Sequence, residues 1–149
     1  MFKSVVKYED FNGNHKEEAL YFNMNKPEMI RLLKTRPTIT DELQDMANKL
    51  AMDNPPDGLF VDFMTFIEDL IGYSYGKKTD DGRFIKNNDV LEDLRTSNAY
   101  EAFYTKLLND PKEFNTFVEQ IFPADVMTEA LKEQAKEQAE GMIKPETAE

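Results

Sequence analysis

The segment SVVKYEDFNGNHKEEALYF, residues 4–22, alternates polar and apolar side chains on either side of Asn12-Gly13. An Asn-Gly pair between two such runs is the strongest short-range signal for a β-hairpin. With Asn12 and Gly13 as the central residues of a type I′ turn, Glu9 faces Lys16, Lys7 faces Glu18 and Val5 faces Leu20. That register places two opposite-charge pairs and one apolar pair on one side of the ladder. An isolated hairpin is marginal in water, so one of its faces must rest on something else.

The chain beyond the hairpin is helical. Asn25 and Glu28 form a capping-box pattern, Pro27 is tolerated in the first turn, and the pair Arg36-Pro37 ends that helix. Thr40 is placed to cap a second helix, whose apolar face is Leu43, Met46, Ala47 and Leu50. DNPPDG then breaks the chain. In LFVDFMTFIEDLIGYSYG the residues Leu59, Phe60, Phe63, Met64, Phe66, Ile67, Leu70 and Ile71 cover too wide an arc for one buried stripe. It reads as the central helix, with Gly76 just past its end. Asn87 or Asn88, Ser97 and Asp110-Pro111 start three more, the last stopped at Pro123. Beyond it, Val126, Met127, Ala130, Leu131, Gln134 and Ala135 form a narrow seam in an otherwise charged helix, frayed after Gly141. The fold class expected is α+β, mostly α: an N-terminal β-hairpin packed on a bundle of about six helices, with a polar C-terminal helix. Residues 1–123 form the hairpin plus helical domain, and 124–149 the charged helix and tail.

Composition narrows the function classes. The 149 residues carry 29 acidic and 18 basic side chains, a formal charge of −11. Such a surface repels nucleic-acid phosphates and anionic membranes, so neither is expected as a direct partner. No apolar run approaches the ~20 residues that span a bilayer. The start, MFKSVVKYED, is charged at Lys3 and Lys7 and lacks a signal peptide's apolar stretch, so an intracellular protein is expected. Without cysteine there is no disulfide, thiolate site or thiol nucleophile. His15, the single histidine, sits at the hairpin turn and has no second imidazole to share a metal. Glu68 and Asp69 are the best-placed carboxylates for a perturbed pKa, and helical spacing puts them on the solvent side. No enzyme, no cofactor and no metal site are expected.

The segment YSYGKKTDDGRFIKNND, residues 73–89, looks at first like a phosphate or calcium loop. Gly76 is followed at once by Lys77 and Gly82 by Arg83, so it is no P-loop. Aligned as an EF-hand on Gly82, it puts Lys77 at the first ligand position. It is read instead as a structured connector: TDDG is a β-turn with positive φ at Gly82, and RFIK runs extended. Lys77, Lys78, Arg83 and Lys86 concentrate positive charge there and suit a contact surface.

Three segments together resemble a known family. VVKYEDFNGNHKEEALYFNMNKPEM is similar to the YxDFNG…E…FYFNLxKxE opening of tail-assembly-chaperone-type proteins from tailed phages of Gram-positive hosts. LIGYSYGKKTDDGRFIKNND resembles their SYGxxxxDGRxFxK middle, and SNAYEAFYTKLLNDPKEFNTFVEQIFPAD their TxAYxxLFxxLxxD…FxxxIxP end. The resemblance spans residues 5–125. It implies a non-enzymatic chaperone in the host cytoplasm, absent from the mature virion. Such a protein binds the tape-measure protein, with the major tail protein as a second partner, and keeps it soluble during tail-tube assembly. The matching signature includes Tyr75, Arg83 and Phe84, which with Met127 and Leu131 of the C-terminal seam are the candidate partner-binding residues. Two other readings suit an acidic chain of this size. One is an inhibitor or DNA mimic acting on a host defence enzyme, the other a virion structural adaptor.

Overall fold

A computed structural model describes residues 1–122, and the seam and tail expected beyond them lie outside the described residues. The hairpin is present, β1 (Phe2–Glu9) pairing antiparallel with β2 (His15–Phe22). Its register differs from the sequence expectation by one residue: Glu9 faces His15, Lys7 faces Glu17, and Leu20 pairs with Ser4 rather than Val5. The cause is Asp10. Its Oδ1 accepts the N–H groups of Asn12 and Asn14 at 2.9 Å each, while Gly13 N–H donates to Asp10 O at 3.0 Å. This makes a three-residue loop, a type I turn followed by one left-handed residue, in place of the type I′ turn. Gly13 alone takes positive φ there, at 83°. A one-residue slip exchanges the two faces of a strand pair. Phe2, Ser4, Val6, Leu20 and Phe22 therefore point inward, and Val5 and Tyr21 outward.

Helix α1 (Lys26–Thr35) begins as expected. Asn25 Oδ1 accepts from Glu28 N–H at 3.0 Å, and Glu28 Oε1 accepts from Asn25 N–H at 3.1 Å. Helix α2 (Ile39–Leu50) starts before Thr40, with Thr38 at the cap position. Ile39 is fully buried and Thr40 is itself buried inside the first turn, so core packing rather than a hydroxyl cap sets that boundary. Helix α3 (Leu59–Ser74) follows the DNPPDG break.

Gly76 does not terminate α3. The helix stops at Ser74 because Tyr75 turns extended (φ −70°, ψ 139°) and pairs with Phe22, giving β3 (Tyr75–Lys78). β4 (Phe84–Ile85) returns beside it, so the hairpin grows into a four-stranded antiparallel sheet of order β1-β2-β3-β4. The expected connector is thus a second hairpin. Its turn repeats the first: Thr79 N–H donates to Arg83 O, Gly82 N–H to Thr79 O, and Arg83 N–H to Thr79 Oγ1. Gly82 holds φ 85°.

Helices α4 (Asn88–Arg95), α5 (Asn98–Asn109) and α6 (Pro111–Ile121) complete the described residues. Phe2 and Phe22 of the sheet meet Phe103 of α5 and Phe117 of α6, with Phe22–Phe103 centroids 4.5 Å apart and Phe22–Phe117 5.2 Å apart. Edge and tilted contacts of this kind add to the stabilisation from burial. α3 enters the same core through Phe63, Phe66, Ile67, Leu70 and Ile71. Two backbone bonds fasten the strand end: Asn23 N–H to Ser74 O at 2.8 Å and Met24 N–H to Ile121 O at 3.0 Å. The architecture is α+β, mostly α.

Candidate partner-binding surface

The second hairpin positions three of the sequence-predicted residues, and differently. Tyr75 is buried against Phe22 with centroids 5.5 Å apart, and burial chiefly pushes its phenol up to about 12. Phe84 is half-buried across Gly76, where an added Cβ would lie 2.7 Å from Phe84 Cε2. Arg83 is exposed at the turn, 3.5 Å from Asp81. Met127 and Leu131 lie outside the described residues.

The basic concentration around this hairpin is largely engaged within the chain. Lys77 pairs with Asp93 at 3.2 Å, and Lys86 with Glu28 at 2.5 Å while also donating to Tyr73 O at 2.8 Å. Lys78 lies over the Tyr21 ring at 5.7 Å, with Lys3 5.9 Å from the same ring. The Lys86–Glu28 pair stands at the rim of a cavity of about 400 Å³ between α1, α3 and the start of α4, with Leu32, Tyr73 and Leu91 among its lining. Glu28 thereby caps α1 with one oxygen and ties the β4–α4 junction to it with the other.

The first two turns of α3 present the opposite situation. Phe60 is 63% exposed, Val61 64% and Met64 43%, and Met52 in the preceding loop is 53% exposed. Phe60 and Met64 are four apart and Val61 adjoins Phe60, so the three share one face of the helix. The buried side of the same turns is anchored by Phe63, packed on Tyr104 of α5 (5.8 Å) and Phe114 of α6 (5.6 Å). The sequence reading put Phe60 and Met64 in the core arc. The usable signal was the arc's width, since a helix apolar nearly all round must bury every side or leave one for a partner.

His15 is exposed at the start of β2. Among the described residues no group of three or more His, Cys, Asp or Glu is placed to hold a metal ion, and no helix is long and apolar enough to cross a membrane.

A family model described as phage tail assembly chaperone matches residues 1–149, the whole length given. No curated protein and no solved structure matches the chain. The match carries a chaperone role in tail assembly, a role that is not an enzyme's, and dealings with phage tail proteins. An open apolar helix face on a well-packed scaffold suits that role, and the chain belongs to the phage tail assembly chaperone family.

Proposed function

We propose that this chaperone binds the tape-measure protein of the tail and keeps its apolar helices soluble while tail-tube subunits assemble around it. The observation that carries this reading is the uncovered face of Phe60, Val61 and Met64. Helix-in-groove recognition lays the apolar stripe of a partner helix on such a surface. Methionine there suits a client of varied sequence, because its unbranched thioether adapts to different shapes. A surface of net charge −11 holds the resulting complex in solution. Met127 and Leu131 belong to the reading as a further apolar contribution to client binding, and the major tail protein as a second partner. The chaperone acts in the host cytoplasm and leaves before the particle is complete.

Co-expression with the tape-measure protein tests this directly. The client is expected in the soluble fraction, co-purifying with the chaperone, and purified virions are expected to contain no chaperone by mass spectrometry. A client that stays insoluble and unbound overturns the reading, and chaperone peptides in stoichiometric amount in virions would replace it with a structural adaptor.

A further inference from the structure

The open face of α3 has a charge as well as an apolar character. Residues 51–76 hold five carboxylates, Asp53, Asp57, Asp62, Glu68 and Asp69, and no Lys, Arg or His. Asp69 is paired with Arg36 at 3.0 Å. The other four are exposed and form no ion pair among the described residues. Three of them bracket the apolar face. Asp57 precedes Phe60, Asp62 lies in the first turn, and Glu68 stands one turn beyond Met64 in the same row. Phe60 to Glu68 is a rise of about 12 Å, two turns of helix. On one side stands Lys49, held by Asp45 at 2.9 Å; that bond chiefly raises its pKa, and the charge of Asp62 adds to the rise. On the other, burial raises the Tyr104 phenol on α5, and the charge of Glu68 adds to it.

We infer that this face is a docking site for an amphipathic helix whose apolar stripe is flanked by Lys or Arg. The stripe covers Phe60, Val61 and Met64, and the cations pair with Asp57, Asp62 and Glu68. The inference deepens the chaperone reading and rests on it for the identity of the client. Charge complementarity selects the occupant. An apolar helix flanked by acids would bring like charges together, and an uncharged one would leave the rim carboxylates partly desolvated without partners. A second copy docked through the same face would bring one acidic rim against the other across a two-fold axis, again like charge against like.

The probe is a synthetic 18-residue peptide of Leu and Lys with Leu at i, i+3, i+4 and i+7, compared with its Leu and Glu counterpart. Calorimetric titration into the full chain is expected to show binding of the Lys peptide, weakened by salt, and none of the Glu peptide. Phe60→Ser with Met64→Ser, and separately Asp57→Asn with Asp62→Asn, are each expected to raise Kd at least about tenfold, with circular dichroism unchanged. Ile30→Ser, at an exposed apolar position on α1, should leave Kd unchanged. Glu17→Gln with Asp80→Asn alters net charge equally at remote exposed sites and should have little effect. Equal weakening by the two charge variants would reduce the attraction to general acidity and overturn the inference. So would equal binding of both peptides, or a concentration-dependent dimer in sedimentation that Phe60→Ser abolishes. Peptide binding at Phe60 with an insoluble tape-measure protein would sink the chaperone reading and leave this site standing. Solubilisation indifferent to Phe60 and Met64 would do the reverse.

Discussion

Two glycines in the second hairpin show how one residue type serves different physical ends. Gly82 holds φ 85°, and nothing lies within 4 Å of the place a Cβ would take, so its requirement is conformational. Gly76 has no such φ; its requirement is space, because a Cβ would meet Phe84 Cε2 at 2.7 Å and Ile85 O at 2.8 Å. Gly82→Ala is expected to cost about 1–2 kcal/mol from left-handed backbone strain. Gly76→Ala is expected to cost about 1–3 kcal/mol by displacing Phe84 and the β4 backbone. Urea denaturation of both variants measures this. Only Gly76→Ala should also free the Phe84 ring, visible as a loss of its ring-current shifts in NMR spectra. The positive φ of Gly82 was legible from the TDDG turn. The closeness of Phe84 was not, since it depends on β3 and β4 pairing.

Among the helices and strands, boundaries governed by adjacent residues were the readable ones. The capping box of Asn25 and Glu28, the Asn87 cap and the Asp110-Pro111 start all act within three or four residues of chain. Asn25→Ala is expected to cost about 1 kcal/mol, since it leaves the Glu28 N–H without its acceptor. The Tm of the variant checks it, and a loss near zero would mean that the residue-25 N–H and Lys86, which still hold the Glu28 carboxylate, keep the helix start without the side-chain cap. Boundaries set from a distance were misread. α2 begins before Thr40 because Ile39 is drawn into the core, and α3 ends at Ser74 because β2 offers Tyr75 a strand to pair with. The hairpin register failed for a subtler reason. Asp10 organises a three-residue loop through its side chain, and the same arrangement recurs with Thr79 in the second turn. The shared pattern is an oxygen-bearing residue three positions before glycine, a local signal available in DFNG and TDDG alike.

Across the folded chain, packing fixes the protonation chemistry. The Tyr8 phenol is pushed up to about 12, first by its hydrogen bond to Glu18. Tyr75 and Tyr100 rise to about 12 chiefly through burial. A phenol whose pKa is higher folded than unfolded binds its proton more tightly in the native state. The contribution of these three phenols to stability is therefore level below about pH 10, the ordinary phenol value, and falls as pH rises from there through about 12. Ultraviolet titration should show these three tyrosines ionising late, and Glu18→Gln should bring Tyr8 down most, with a smaller fall for Tyr75, which also feels the Glu18 charge. Chemical denaturation across the same range should show the midpoint falling; a midpoint that stays constant would contradict the raised values.

The α+β class, the first hairpin, the helix starts with local caps, the acidic surface and the family signature are all written in the chain. Each of these rests on interactions a few residues long or on composition. The extension to four strands and the burial of Tyr75 came only with the assembled fold. So did the choice of which side of α3 stays open. A helix apolar on nearly every side does not say which face its own core will use. That depends on where α5 and α6 bring Tyr104 and Phe114 against Phe63, and the face they leave uncovered is Phe60, Val61 and Met64.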